Sequence, residues 1–303
     1  MLNRTLRLLL FITAVCILYG ISHAQFLSSD DVNQLPSAVP DYQIAYGNDP
    51  RQVADLYLPE GQGPHPVAVI IHGGCWLSKI ANFKNTSALS DALRRIGIAT
   101  WNVEYRCVDN PGGGWPGTFL DVAHATDHLR VIAKRCKLDL ERVIVLGHSS
   151  GGQLALWVAS RHLILKGNSL YIDNPLKVRG VIALGAVTDL RKLEPTDEEV
   201  CGDDVIVKLE GGLPDEVPER YHYASPIEFL PIGVPQTLII GAQDMPILLE
   251  HSKTYVAAAK RKGDEAQLLI VDHASHHEVV APGSAAWLTV RSAVLAMLNL
   301  ERK

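Results

Sequence analysis

A serine set among glycines constrains this chain more than any other feature. Gly147-His148-Ser149-Ser150-Gly151-Gly152 follows the apolar run Val143 to Leu146 and opens a second one, Leu154 to Ala159. An apolar run, a glycine turn and a further apolar run read as strand, sharp bend and helix. A serine at the apex of that bend is held out from the sheet edge with its hydroxyl exposed. The glycines let strand and helix approach closely. Ser149 is therefore a candidate nucleophile. Three fixed positions also recur by coincidence, so the chain must supply oxyanion donors, an acid and a base in suitable settings.

Composition narrows the classes. The chain has 303 residues, 47% hydrophobic and 20% charged, enough apolar material for a large core. A net charge of −5 lacks the basic footprint of a nucleic-acid binder. The 12 histidines show no metal-ligand spacing, and no motif calls for a cofactor or metal. Arg4 and Arg7, the apolar run Leu8 to Ile21 and Ser22-His23-Ala24 predict a signal peptide over residues 1–24. The run is short for a spanning helix; an uncleaved anchor is the alternative. Cys16 follows the bulky Val15 and does not fit lipid attachment. An exported chain, periplasmic or secreted, then keeps Cys75, Cys107, Cys136 and Cys201, an even number in a disulfide-permissive compartment.

Residues 25–40 read as a mobile, polar lead-in. Tyr42 to Tyr46 and Val53 to Leu58 flank Gly47-Asn48-Asp49-Pro50 and predict a half-exposed hairpin. Val67 to Ile71 reads as a strand buried on both faces. Helices are predicted over 86–96, 119–134, 248–260 and 284–298, and strands over 98–105, 143–146, 181–184, 237–240 and 267–271. The helix after Ser149 is apolar all round and should be the most buried. Residues 187–235, rich in Pro, Gly and acidic residues, read as a small insertion over the strand ends. The order predicts an α/β fold with a mostly parallel sheet of about eight strands, covered by helices on both faces, and one catalytic domain over 25–303. A ligand belongs at the carboxyl ends of the strands.

His72-Gly73-Gly74-Cys75-Trp76 follows the buried strand. Backbone N–H groups of Gly73 and Gly74, with that of Ser150, are candidate oxyanion donors, since glycines allow close approach to a substrate. Asp244, after Gly241-Ala242-Gln243, is the candidate acid; Asp189 is the runner-up, and Asp272 lies too near the histidine loop. The base lies in Asp272-His273-Ala274-Ser275-His276-His277-Glu278, where three histidines compete and the pattern alone leaves the choice open. Gly112-Gly113-Gly114-Trp115-Pro116-Gly117 matches a dinucleotide fingerprint, but Pro116 removes a donor and Trp115 crowds the approach. It reads as a pocket-wall loop.

Taken together, His72-Gly73-Gly74-Cys75-Trp76, Glu104-Tyr105-Arg106, Gly113-Gly114-Trp115-Pro116, the Ser149 elbow, Gly241-Ala242-Gln243-Asp244 and His277-Glu278-Val279-Val280 resemble the α/β-hydrolase superfamily. More narrowly they resemble small esterases and formamidase-like hydrolases with an His-Gly-Gly oxyanion motif, over about residues 42–300. The resemblance implies the α/β-hydrolase fold. It selects His277, whose following Val279 and Val280 match the relatives' apolar pair, with His276 second because Glu278 replaces the usual aromatic. It also suggests a Cys75–Cys107 disulfide, since both lie just past the ends of neighbouring strands. The implied function is hydrolysis of small carboxylic esters through an acyl-enzyme by Ser149, Asp244 and His277. His72, Trp76, Trp115, His148 and the 187–235 insertion would shape the pocket. An arylformamidase-type amidase and a catalytically silent binding protein are the rivals. The expected partner is a small-molecule ester, with no nucleic acid and no stable membrane span after signal cleavage.

Overall fold

The computed structural model describes residues 26–196, 200–202 and 204–300; the predicted signal peptide lies outside the described residues. One eight-stranded sheet organises the chain. Its strands are β1 Tyr42–Ala45, β2 Val53–Tyr57, β3 His65–Ile71, β4 Ala99–Val103, β5 Leu138–His148, β6 Gly180–Leu184, β7 Gln236–Gly241 and β8 Ala266–Val271. They lie in the order β1-β2-β4-β3-β5-β6-β7-β8. The β1–β2 and β2–β4 pairs are antiparallel, and all others are parallel. This is the architecture the sequence predicts. The eleven-residue β5 is longer than expected. Its charged start, Leu138-Asp139-Leu140-Glu141-Arg142, hides a strand that pairs Leu138 with His65 across a register shift.

Alternation sorts the strand residues into two apolar layers. Ala68, Ile70, Ile144 and Leu146 share one layer with Leu89 and Leu93, and with Val290 and Val294. Those partners come from α2, Ser87–Arg94, and α9, Trp287–Met297. Val67, Val69, Val143 and Val145 share the other with Phe119, Leu129, Trp157 and Tyr255. Their helices are α3 Gly117–Cys136, α4 Ser150–Ser160 and α8 Pro246–Arg261. Every residue of α4 is buried, as its all-round apolar sequence requires. Among the described residues no helix is long and apolar enough to cross a membrane.

Two regions differ from expectation. The lead-in is not loose. Ser28 caps α1, Ser29–Asn33, in a reciprocal capping box with Asp31, and Val32 is buried in the α2/α9 layer. Its partners lie far along the chain, so local composition hides them. Between β6 and β7, the short helices α5 Leu190–Leu193, α6 Val205–Glu210 and α7 Pro218–Ala224 form the insertion. It reaches the glycine-rich loop: Trp115 N–H donates to Leu209 O at 2.7 Å, and Gly114 N–H to Thr118 Oγ1 at 3.0 Å. Those donors are consumed internally, which removes the dinucleotide reading.

Candidate active site

β5 ends at His148, and Ser149 turns the chain into α4 with φ 54° and ψ −120°. A serine takes that backbone only under constraint. Here Ser149 N–H donates to Leu184 O at 2.8 Å, while Gly152 and Gln153 N–H donate back to Ser149 O at 2.9 and 3.1 Å. A side-chain carbon at Gly147 would overlap Gly151 O, and one at Gly151 would overlap the carbonyls of Ile71 and His72. The glycines flanking the serine are therefore steric necessities.

β3 delivers the glycine pair. His72 is fully buried, stacked on Tyr105 with ring centroids 4.4 Å apart. Its Nδ1 lies 2.7 Å from Gly73 O and its Nε2 3.1 Å from Glu104 Oε1. A carbonyl only accepts, so Nδ1 carries a proton and holds the Gly73–Gly74 peptide. In a planar trans peptide the Gly74 N–H then points away from His72. Gly74 lines the cavity that contains Ser149. Burial works against the Glu104 carboxylate, but His72 and the N–H groups of Phe83 and Tyr105 outweigh it and hold its pKa below the ordinary glutamate value.

The loops after β7 and β8 are joined by backbone bonds, Ala242 N–H to Val271 O at 2.8 Å and Gln243 N–H to Ala274 O at 3.0 Å. That register sets Asp244 beside His276: Nδ1 lies 2.9 Å from Oδ1 and 3.1 Å from Oδ2. Met245 N–H donates to the same Oδ1 at 2.7 Å. The expected Asp244–His277 pairing is thus corrected to Asp244–His276. His277 Nδ1 is buried without a partner. Burial first, then His276, lowers its pKa to about 4, so it is neutral near pH 7. Asp189, the runner-up acid, instead accepts Lys192 N–H at 3.1 Å and caps α5.

Ser149, Gly74, His148, His276 and His277 line one cavity of about 350 Å³. The His148 ring lies 4.6 Å from that of His276, and its Nε2 donates to His276 O at 2.9 Å. Burial and the two neighbouring histidines push its pKa well below the ordinary value. The other expected wall residues lie elsewhere. His72 and Trp76 are fully buried and do not line the cavity; Trp76 Nε1 donates to Gln153 Oε1 at 3.1 Å. Trp115 packs edge-on against Phe119, with Arg220 over its face at 5.9 Å. Among the described residues no cluster of His, Cys, Asp or Glu is arranged to hold a metal ion.

The disulfide differs as well. Cys75 bonds Cys201 of the insertion, with the Cα atoms 5.6 Å apart. Cys107 and Cys136 are free and buried. Cys107 turns into the core, its thiol 3.8 Å from Tyr105 O, while Cys75 faces the insertion. Val200 and Cys201 thereby become cavity wall. Sequence reasoning expected the insertion at the pocket, where these two residues lie, but missed Ser29, Asn85 and Met245, which line the same cavity. It missed Gly185 too, where an added carbon would sit 3.0 Å from Asp244 Oδ2 and 3.1 Å from His276 Nδ1. Only Gly185, directly after an apolar run, carries a local signal.

The sequence profile of the BD-FAE family matches residues 54–258. A kynurenine formamidase of Meyerozyma guilliermondii is 31% identical over 152 residues, 50% of this chain and 54% of that protein. Esterase LipC of Mycobacterium tuberculosis is 25% identical over 221 residues, 71% of this chain and 53% of LipC. The chain therefore spans about half the length of these curated relatives. Esterase B from Lactobacillus rhamnosis superposes with a TM-score of 0.74 at 19% identity, over 97% of this chain and 93% of that one. That likeness shows the α/β-hydrolase fold.

Proposed function

The chain belongs to the BD-FAE family, and from that premise we propose that it is a serine-dependent hydrolase of small carboxylic esters. The observation that carries this is the Asp244–His276 pair, 2.9 Å apart, beside a cavity that also contains the strained Ser149. With Nδ1–H donated to Asp244, His276 keeps Nε2 as the basic nitrogen. That nitrogen takes the Ser149 hydroxyl proton as Oγ attacks the ester carbonyl. The backbone N–H groups of Gly73, Gly74 and Ser150 are the proposed oxyanion donors. The tetrahedral adduct collapses, His276 protonates the departing alcohol, and an acyl-Ser149 remains. Water deprotonated by His276 then releases the acid and restores the serine.

The same proposal treats residues 25–303 as one catalytic domain with a cap-like insertion, exported after loss of residues 1–24. The Cys75–Cys201 disulfide supports export, since such bonds persist in oxidising compartments. The test is turnover of p-nitrophenyl acetate: Ser149→Ala should lose roughly 10³-fold or more in kcat while remaining folded. Undiminished turnover would remove the assignment. Amide hydrolysis is the second reading, favoured by the likeness to a kynurenine formamidase. Faster cleavage of a formyl anilide than of a phenyl ester would make it the first.

A further inference from the structure

The segment before β1 behaves as a strap over the site. Leu27 N–H donates to Glu278 Oε1 at 2.6 Å. The other oxygen of that carboxylate accepts Ser275 N–H at 2.9 Å, next to His276. Glu278 is the residue that departs from the aromatic of the resemblance, and here it ties the strap to the histidine loop. A second tie lies further along. The buried Asn85 directs Nδ2 to Ser29 O at 3.4 Å, Ser29 Oγ at 3.3 Å and Asn33 Oδ1 at 3.2 Å. Val32, 1% exposed, anchors the strap in the core between these ties. Both Ser29 and Asn85 line the cavity with Ser149 and His276.

We infer that Ser29, held by Asn85 and the Leu27–Glu278 bond, is a specificity-determining wall that sets the size of the ester group admitted beside Ser149. This rests on the esterase reading above. Val200 and Cys201 contribute to the cavity from the insertion and are covalently tied to the oxyanion loop. The strap's contribution is held by hydrogen bonds and one buried valine. In a cavity of about 350 Å³, the volume of a single side chain on that wall decides what fits.

Two ester series test it, one with a fixed p-nitrophenyl leaving group and acetyl, butyryl or benzoyl acids, the other with a fixed acetyl group and phenyl or naphthyl alcohols. The readout is the ratio of kcat/KM for bulky over small esters. Ser29→Phe should lower that ratio at least tenfold in one series, mainly through KM. Asn85→Ala, which frees Ser29, should raise it at least threefold in the same series. Should Ser29→Phe fail to fold, Ser29→Gly replaces it and should raise the ratio. A purely structural role would depress both esters equally and leave the ratio fixed in both series; that result would overturn the wall while the loss on Ser149→Ala still stands. Wild-type turnover by Ser149→Ala would instead overturn the esterase reading itself.

Discussion

The Asp244 carboxylate faces His276 Nδ1 at 2.9 Å, while the adjacent His277 buries a ring nitrogen with no partner. Two neighbouring residues of one type therefore occupy opposite chemical situations. One has an oriented imidazole, and the other a neutral, desolvated ring. His276→Ala should lower kcat on p-nitrophenyl acetate by roughly 10³-fold or more, and His277→Ala by less than about tenfold. Steady-state kinetics of the two variants checks this. The reverse ranking would return the base to His277.

His277 should also shape stability against pH. Its folded pKa of about 4 lies below the ordinary histidine value of about 6.5. Between those values the unfolded chain binds the proton and the folded chain does not, so stability falls as pH drops through that window. The cost is about 1–3 kcal/mol by pH 4, allowing for partial exposure. Urea midpoints of wild type and His277→Asn from pH 7 to pH 4 should show a shallower decline for the variant. Parallel declines would show that His277 carries no such linkage.

Cys75 and Cys201, 126 residues apart, join the glycine loop after β3 to the insertion. Replacing both by serine should cost about 2–4 kcal/mol, because the unfolded chain regains the freedom of that long loop. Calorimetry with and without reductant should show reductant-sensitive melting in the wild type alone. KM should rise as well, since Cys201 is cavity wall.

Glu210 is fully buried at the end of α6, and neither carboxylate oxygen has a hydrogen-bond partner. Burial raises its pKa well above the ordinary value, with Arg220 opposing. The native state thus keeps a proton that the unfolded chain releases above about pH 4.3. Native stability from this group is greatest below that pH and declines as pH rises toward the folded pKa. Glu210→Leu should therefore gain stability over wild type by a margin that widens from pH 5 to pH 8 in urea melts. A constant margin would mean that Glu210 does not hold a proton on folding.

Much of the frame was legible because its signals are local. The apolar run Val67 to Ile71 lies within β3. The glycines around Ser149 mark backbone that admits no side chain. Strand ends were harder: the charged opening of β5 has no apolar run to announce it. The strap escaped because the hydrogen bond from Leu27 to Glu278 spans 251 residues.

Sequence by itself determined the α/β architecture, the elbow at Ser149 and the short stretches from which an acid and a base would come. Those follow from periodicity, glycine sterics and the order of elements, each readable within a few residues. Tertiary structure alone decided that Asp244 meets His276, that Cys75 bonds Cys201, and that Ser29 closes a wall of the cavity. A one-residue difference in a loop turns a side chain to another face, and only the register between the β7 and β8 loops fixes which histidine arrives. Likewise, Cys107 is lost to pairing because its thiol turns into the core, a direction set by packing and not by its position in the chain.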